Sequence, residues 1–544
     1  MHKSIFFALL FVTAVSGRYA PNLLINPDLD NLIYRLSSRY GMAVPEDLFN
    51  QPYTADKVLD YLGETAEKHG TELSDYEKYQ SVSAVKRLDP VCGFLKWYRE
   101  EKQSGKPDIH LKLQLRLLAD IKPVLSSNSS IGVKGIINPL LTGNLGNLSF
   151  YSGIDVWTQY RSDIMFPRHN YQPYDGIPYN LFGRSTDSSH TLSSDMLRGG
   201  IRYDAGRIRL ETAIDYLRTG PALYYPLTLS GSAPPVTYAR GMIDLDLVQY
   251  SHTAGLLKFQ KDKLKFLYAH RLSANLWKSR LNIGFNEVII NGSSTSEPAS
   301  DSNRVHPDNS GQQRGWEWVY LIPFVPFKFA EHYAGDRDNA ALSLDFNLQW
   351  PVDFRWYAEI FLDDMLSPQK LFSTDWGNKW ALTAGMQFFG TLFMRDMEID
   401  LEYSHVEPWV YTHFYGGSHR YSHFDNCLGS PLGPNSQAIV LSMHSQISKL
   451  NKLGIGLNSI AQNRSVRGGN ISDVYQFWDP ADEMKFHDDT TKMFLGPGTE
   501  WSLKPVFYWS FNPFGRFRVD ASYKVELLDN KHSSELSLWG GVVF

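Results

Sequence analysis

Long hydrophobic runs are what this sequence lacks. Past its first residues, no stretch of the 544-residue chain approaches the ~20 consecutive apolar positions of a membrane-spanning helix, which excludes a helical membrane protein. A surplus of one charge is missing too. Its 53 Lys and Arg against 58 Asp and Glu leave a net charge of -5, so there is no basic footprint for nucleic acid. Cysteine is scarce: Cys92 and Cys427 are too few for a disulfide framework, and neither stands at a lipoprotein cleavage site. A bridge between them would join a helical segment to a distant loop. The reading adopted is a buried Cys92 and an incidental Cys427.

What is present lies first at the two ends. Met1-His-Lys3 is a short positive region, residues 5–15 are mostly apolar, and Val15-Ser-Gly17 offers small residues for cleavage; residues 1–17 read as a secretory signal peptide. At the other end Leu536, Leu538, Gly540 and Val542 alternate towards a terminal Phe544. A strand with one face in lipid and one in a polar lumen must alternate in this way. A terminal Phe closing such a strand resembles the signal read by the bacterial barrel-assembly machinery. The 14% aromatic content fits the interfacial girdles of a transmembrane barrel, whose average polarity stays high because every second strand residue faces water.

Between the ends the period changes once. Residues 18–105 read as a helical region preceding the barrel, and therefore periplasmic. Leu29, Leu32, Ile33 and Leu36 share a helix face ending at Gly41, Thr54 can cap a second helix carrying Val58, Leu59 and Leu62, and Ser74 caps a third. Residues 94–101 are expected as a fourth. From Ile109 the period is two: Ile109, Leu111, Leu113, Leu115 and Leu117 alternate with His110, Lys112, Gln114 and Arg116. The pattern recurs to the end, so residues 109–544 read as an all-β transmembrane barrel of about eighteen antiparallel strands. One strand is expected over 238–250 and the next over 254–260. Link length alternates as well. Short links at 204–206, 274–279, 351–352, 390–395, 448–451 and 511–515 alternate mostly with long ones at 162–196, 218–237, 291–340, 406–437 and 462–498, and barrels pair short periplasmic turns with long outer loops.

The inward rows are rich in charge. If Gln349 opposes Arg355 across the Pro351 turn, Asp345 opposes Glu359, and two facing carboxylates repel unless a cation intervenes; Arg271, on an inward row with Lys265, is the candidate. Arg271, Asp345, Arg355, Glu359 and Asp363 thus form an expected lumen network, either an ion-pair filling or the lining of a saccharide or ion path. Glu287 breaks the pattern, sharing parity with Ile283, Phe285 and Ile289. A bulge near Asn286 would turn it inward; otherwise it faces lipid.

Several segments resemble the capsule-assembly family of outer-membrane proteins called Wzi. They are Ala269-His-Arg-Leu272 with Gly284-Phe-Asn-Glu-Val-Ile-Ile-Asn-Gly292, Gly335-Asp-Arg-Asp-Asn339, Tyr357-Ala-Glu-Ile-Phe-Leu-Asp-Asp364, Tyr411-Thr-His413 and Leu432-Gly-Pro-Asn-Ser436, besides the helical start. The resemblance implies a barrel with a helical periplasmic part acting as a surface lectin that holds capsular polysaccharide on the cell. The saccharide itself does not carry over, because the loops are this chain's own.

Sugar recognition needs aromatic planes for C–H faces and planar polar partners for hydroxyls. Trp316, Trp318, Tyr333, Trp409, Tyr411, His413 and Tyr421 are the candidate outer-loop contacts, with Tyr171, Tyr174, Tyr179, Tyr475 and Trp478 of the same kind; girdles and loop cores use the same residues. His405, Glu407, His413, His419, His423 and Asp425 can be read as a catalytic or metal cluster, but their spacings match no established zinc pattern. The expectation is therefore a non-enzymatic outer-membrane protein with extracellular loops and no cofactor, metal or catalytic residue. Its partners are capsular or extracellular polysaccharide, membrane lipid and, during biogenesis, the assembly machinery. The alternative is a porin or saccharide channel.

Overall fold

The computed structural model of the chain describes residues 27–88, 95–99, 109–125, 130–163, 165, 190–260, 263–292, 315–335, 338–365, 367–392, 395–413, 416–474, 476–479, 483–486, 490–511, 517–528 and 531–543. The expected signal peptide, Cys92, Phe544 and Tyr171, Tyr174, Tyr179 and Tyr475 lie outside them.

Among the described residues, alternation in period two has become eighteen antiparallel strands. They are β1 (Ile109–Leu125), β2 (Ser130–Leu145), β3 (Leu148–Arg161), β4 (Thr191–Asp204), β5 (Ile208–Asp215) and β6 (Val236–Asp244). Next come β7 (Val248–Gln260), β8 (Lys263–Leu276), β9 (Leu281–Gly292), β10 (Asn339–Leu348), β11 (Phe354–Asp364) and β12 (Lys379–Leu392). The series ends with β13 (Arg395–Val406), β14 (Ser436–Ser448), β15 (Asn451–Gln462), β16 (Glu500–Phe511), β17 (Phe517–Leu528) and β18 (Lys531–Val543). Each pairs with its chain neighbour, and β18 returns to β1, from Ser534↔Leu125 to Val543↔Arg116, closing the barrel along that seam. Apolar rows such as Leu197 and Ile201, or Leu344 and Phe346, are exposed on the outside, while Arg198, Arg271, Asp345, Arg355 and Glu359 are buried within. This is the inside-out polarity of a wall that meets hydrocarbon.

Two expectations are corrected by the pairing. Where a fourth helix is expected over 94–101, the described residues Leu95–Arg99 are instead a strand against β1, from Leu95↔Leu113 to Arg99↔Ile109. β18 reaches only as far as Arg116, so the first residues of β1 would otherwise have unpaired backbone groups on that side. The strand expected over 238–250 is interrupted by a turn between Asp244 and Val248, where Asp246 has φ +66°, and residues 254–260 simply continue β7.

All links at one end are two to five residues long, and six of the nine at the other exceed a dozen. At the short-turn end sit three helices, α1 (Pro27–Tyr40), α2 (Ala55–His69) and α3 (Asp75–Leu88). Proline opens α1, Asp28 and Asp30 occupy its first turn, and Gly41 at φ +68° ends it. Ser74 and Glu77 make a reciprocal capping box for α3, the Glu77 N–H donating to Ser74 Oγ at 3.2 Å and the Ser74 N–H to Glu77 Oε2 at 2.8 Å. Thr54 stands at the start of α2, but its hydroxyl makes no capping bond.

These helices form a cap seated on the barrel rather than a separate bundle. Their apolar core includes Phe389 of β12. Asn31 donates to Glu398 at 3.0 Å, Arg35 pairs with Asp396, Ser37 donates to Gln349 at 2.5 Å, and Asn50 donates to Ser251 at 2.9 Å. Arg355 of β11 stacks on the Tyr34 ring of α1 with its guanidinium carbon 3.6 Å from the centroid.

Candidate functional site

The 20-residue link 216–235 was expected to lie outside, and it folds into the lumen instead. Leu217, Ala222, Tyr225, Leu227, Leu229 and Ala233 are buried in one cluster with inward residues of the wall and with Val410, Tyr411, Tyr421, Leu428 and Leu432 of the link 407–435. Its two-residue strand Arg218–Thr219 pairs with Asn50–Gln51 of the helical cap, joining plug and cap through backbone bonds.

A loop buried in this way carries backbone N–H groups that must find acceptors, and the wall supplies them as carboxylates. Glu359 accepts from the N–H groups of Leu227 (3.0 Å) and Thr228 (2.8 Å) and from the Thr228 hydroxyl (2.5 Å). Glu402 of β13 accepts from the N–H groups of Leu223 (2.8 Å), Tyr224 (3.1 Å) and Tyr225 (2.7 Å), and from the Tyr357 hydroxyl (2.7 Å). Asp363 accepts from the Tyr411 N–H at 2.6 Å, anchoring the second inward link. Arg355 complements them, donating to Asn347 at 2.5 Å, Gln387 at 2.7 Å and the Pro221 carbonyl at 2.5 Å.

The expected opposition of Asp345 and Glu359 is present in the register. Arg271 pairs with Asp345 through two contacts, 2.6 and 3.0 Å, and Asn286 adds a third at 3.0 Å. Glu359, however, is compensated by loop donors, not by a cation. Glu402 and Tyr34 were not singled out in the sequence, and the link over 218–237 is read there only as a long outer loop. The inward acids of β13 were visible as Glu398, Asp400 and Glu402 in one row with Ser404, and the run of Leu217, Leu223, Leu227 and Leu229 is unusual for a solvated loop.

The aromatic candidates separate into two groups. Trp409 is 3% exposed and Tyr411 and Tyr421 are 0% exposed, so these three are corrected from ligand contacts to plug residues. The Tyr411 hydroxyl donates to Leu227 O and that of Tyr421 to Thr228 O, both at 2.8 Å. Trp409 packs where a Cβ on Gly468, at φ +76°, would come within 2.6 Å of its ring. His413 is half-buried and stacked on His419 at 5.3 Å. Trp316, Trp318 and Tyr333 are exposed, but they belong to a segment on the outer wall.

His405 and His423 are both engaged by neighbouring side chains and backbone. His405 bonds Glu407 at 2.8 Å and stacks on Trp380 at 4.8 Å. Burial and the neighbouring Lys265 push His423 down to about 3. It is therefore neutral, its Nδ1 accepting from the Lys258 N–H at 3.0 Å and its Nε2 donating to Pro235 O at 3.3 Å. Beside the plug is a cavity of about 300 Å³ lined by Tyr216, Arg218, Tyr224, Ser230, Ser232 and Pro431. Among the described residues, the long-loop end carries polar side chains with interspersed rings: Lys370, Phe372, Thr374 and Trp376 on one link, Arg467, Asn470 and Ser472 on another. Asp375↔Thr491 and the Lys492–Glu407 pair at 2.9 Å tie the rim together.

No family model matches the chain, and no curated protein does. Among solved structures the fold is similar to that of Wzi, described as an outer-membrane protein involved in group 1 capsule assembly in Escherichia coli and as a carbohydrate-binding β-barrel. The two are 12% identical over 97% of this chain and 99% of that one, with a TM-score of 0.57. The outer-membrane protein OpdK of Pseudomonas aeruginosa and a BenF-like porin of Pseudomonas fluorescens each align over 80% of this chain and 98% of theirs at 8% identity, with TM-scores of 0.43 and 0.41. The likeness to Wzi is one of fold: an outer-membrane β-barrel whose architecture this chain shares.

Proposed function

We propose that this chain is a non-enzymatic outer-membrane surface protein that binds capsular or extracellular polysaccharide at its long-loop end and helps to hold it on the cell. The helical cap then faces the periplasm. The observation that carries this reading is the filled lumen. Two inward links fold into the lumen, fastened to Glu359, Glu402, Asp363 and Arg355, and the helical cap sits over the short-turn end with α1 bonded to Glu398 and Asp396. A barrel so filled leaves its outer rim as the surface for a large ligand. Similarity of fold to a carbohydrate-binding barrel supports the same class of ligand.

The rim of 367–378 and 463–474 supplies the required chemistry, with Phe372 and Trp376 as planar faces and Lys370, Arg467 and Asn470 as hydroxyl partners. A polymer meets such weak contacts repeatedly, so avidity rather than one deep pocket provides retention. The test is binding of the reconstituted protein to a panel of surface polysaccharides, alongside conductance in planar bilayers. Polymer binding without steady conductance is expected. Porin-like conductance with no polymer bound would replace this reading with the channel.

A further inference from the structure

Residues 315–335, expected in an outer loop, lie against the outside of the barrel wall. The wall beneath them is polar at an unusual place. Strands β7, β8 and β9 bring His252, His270 and Glu287 directly opposite one another, in regular register and on the outward parity. No bulge turns Glu287 inward, and a bare row of this kind is costly against hydrocarbon.

The segment covers that row. α4 (Phe327–Ala334) lays the Phe327 ring on His270, stacked at 3.8 Å, and the Phe327 N–H donates to Glu287 Oε2 at 3.3 Å. His270 Nδ1 lies 3.4 Å from the same carboxylate, and both side chains are buried. Lower down, Phe324 stacks on Tyr250 at 4.4 Å and its N–H donates to the Tyr250 hydroxyl at 3.0 Å. Higher up, the Glu317 N–H donates to the Tyr268 hydroxyl at 2.8 Å. Non-helical backbone donors are thus handed to wall side chains, as hydrocarbon requires and water does not.

The opposite face is apolar and open. Trp318, Phe329 and Tyr333 are 76%, 74% and 86% exposed, with Ile322 and Phe324 beside them. This face continues the lipid-facing wall: Tyr250, under Phe324, shares a ladder row with Leu272, Phe285 and Leu344, all outward and exposed. We propose that residues 315–335 form a lipid-embedded flap, whose outer face is covered by the acyl chains of the membrane and whose inner face seals the row His252, His270 and Glu287 from them. Trp318 and Tyr333 then serve the membrane rather than the sugar. The inference requires only that the barrel span a membrane, and it stands apart from the polysaccharide reading.

The test uses Phe329→Cys and Tyr333→Cys in a Cys92→Ser, Cys427→Ser background, each labelled with an environment-sensitive fluorophore and reconstituted in phosphatidylcholine vesicles. Both side chains are mostly exposed, so the fold is expected to survive both changes. Spin-labelled acyl chains should quench both labels as strongly as a label at Leu344→Cys on the bare wall, with aqueous iodide several-fold less effective. Iodide quenching equal to that of a label at Asn470→Cys would overturn the flap. So would protection from iodide by added polysaccharide, or loss of lipid quenching together with disulfide-linked dimers of the unlabelled cysteine variants, which would assign the face to sugar or to a second copy.

Discussion

Wall carboxylates in this barrel are compensated in two ways, and the difference decides what each substitution does. Asp345 is held by Arg271, whereas Glu359 is held by three donors of the inward link. Glu359→Ala leaves those donors buried without acceptors, each worth about 1–3 kcal/mol, so a loss on the order of 3 kcal/mol is expected in urea unfolding from detergent. Glu359→Gln, which keeps one acceptor oxygen, should cost less. Equal stability in all three proteins would mean that water already solvates the site. In the cap, burial raises Glu77, but Arg35 at 2.8 Å and Arg39 at 3.1 Å, together with the capping box, hold it below the ordinary value of 4.5. A carboxylate depressed in this way contributes stability above 4.5 and loses it as pH falls through the lower folded value. The stability difference between the native protein and Glu77→Gln should therefore be full near neutrality and shrink below pH 4.5. A difference that grows in acid would contradict the assignment. The facing of Asp345 and Glu359 was readable because parity and one turn fix register. Glu359's donors were not, since they come from a loop whose path no period encodes.

Strands and links differ in how much the chain says about them. Inward and outward rows follow from a period of two, so the number of strands and the alternation of link lengths were legible. The turn at 245–247 was hidden because Leu245 and Leu247 prolong the alternation through it. The Leu95–Arg99 strand was hidden because its need arises at the barrel seam, where β18 stops at Arg116. The destination of a link depends on what its side chains can bury against. Leu217, Leu227 and Leu229 find that inside, packed on Tyr411 and Tyr421. Gly220 marks the tightness of the fit: at φ +87°, a Cβ there would stand 3.0 Å from Glu359 Oε2. Replacing 219–231 by a short Gly-Ser link should leave the eighteen strands intact and raise bilayer conductance severalfold, because the wall no longer has its plug. Unchanged conductance would mean that cap and 407–435 suffice to close the lumen. Topology is checked by labelling intact cells. A tag at Asn470 should react and one at Val352, on a short turn beside the cap, should not; the reverse pattern would invert the protein in its membrane.

At the scale of the whole molecule, three layers divide the labour: a cap at the short-turn end, a plug clamped by acids along the lumen, and a rim at the long-loop end. On the proposed reading, retention of a polymer is expected at the rim, on loops held by a rigid scaffold. Aromatics of the plug contribute to that rigidity. Tyr411→Ala should therefore lower stability, by about 3–5 kcal/mol if it behaves as a large-to-small core change, and affect binding only through the fold. Rim residues should behave in the opposite way. Combined replacement of Phe372, Trp376, Arg467 and Asn470 by Ala should leave the heat-resistant fold in place while surface-attached polysaccharide falls and released polymer rises by a similar amount. Several must change together, because a repeating polymer masks the loss of any single contact through avidity. Cell-attached and secreted polymer, measured with total synthesis held constant, separate this from a defect in production. Full attachment in the quadruple variant, with the barrel correctly assembled, would move the binding surface off this rim and leave the cavity beside Tyr216 and Tyr224 as the next place to look for saccharide.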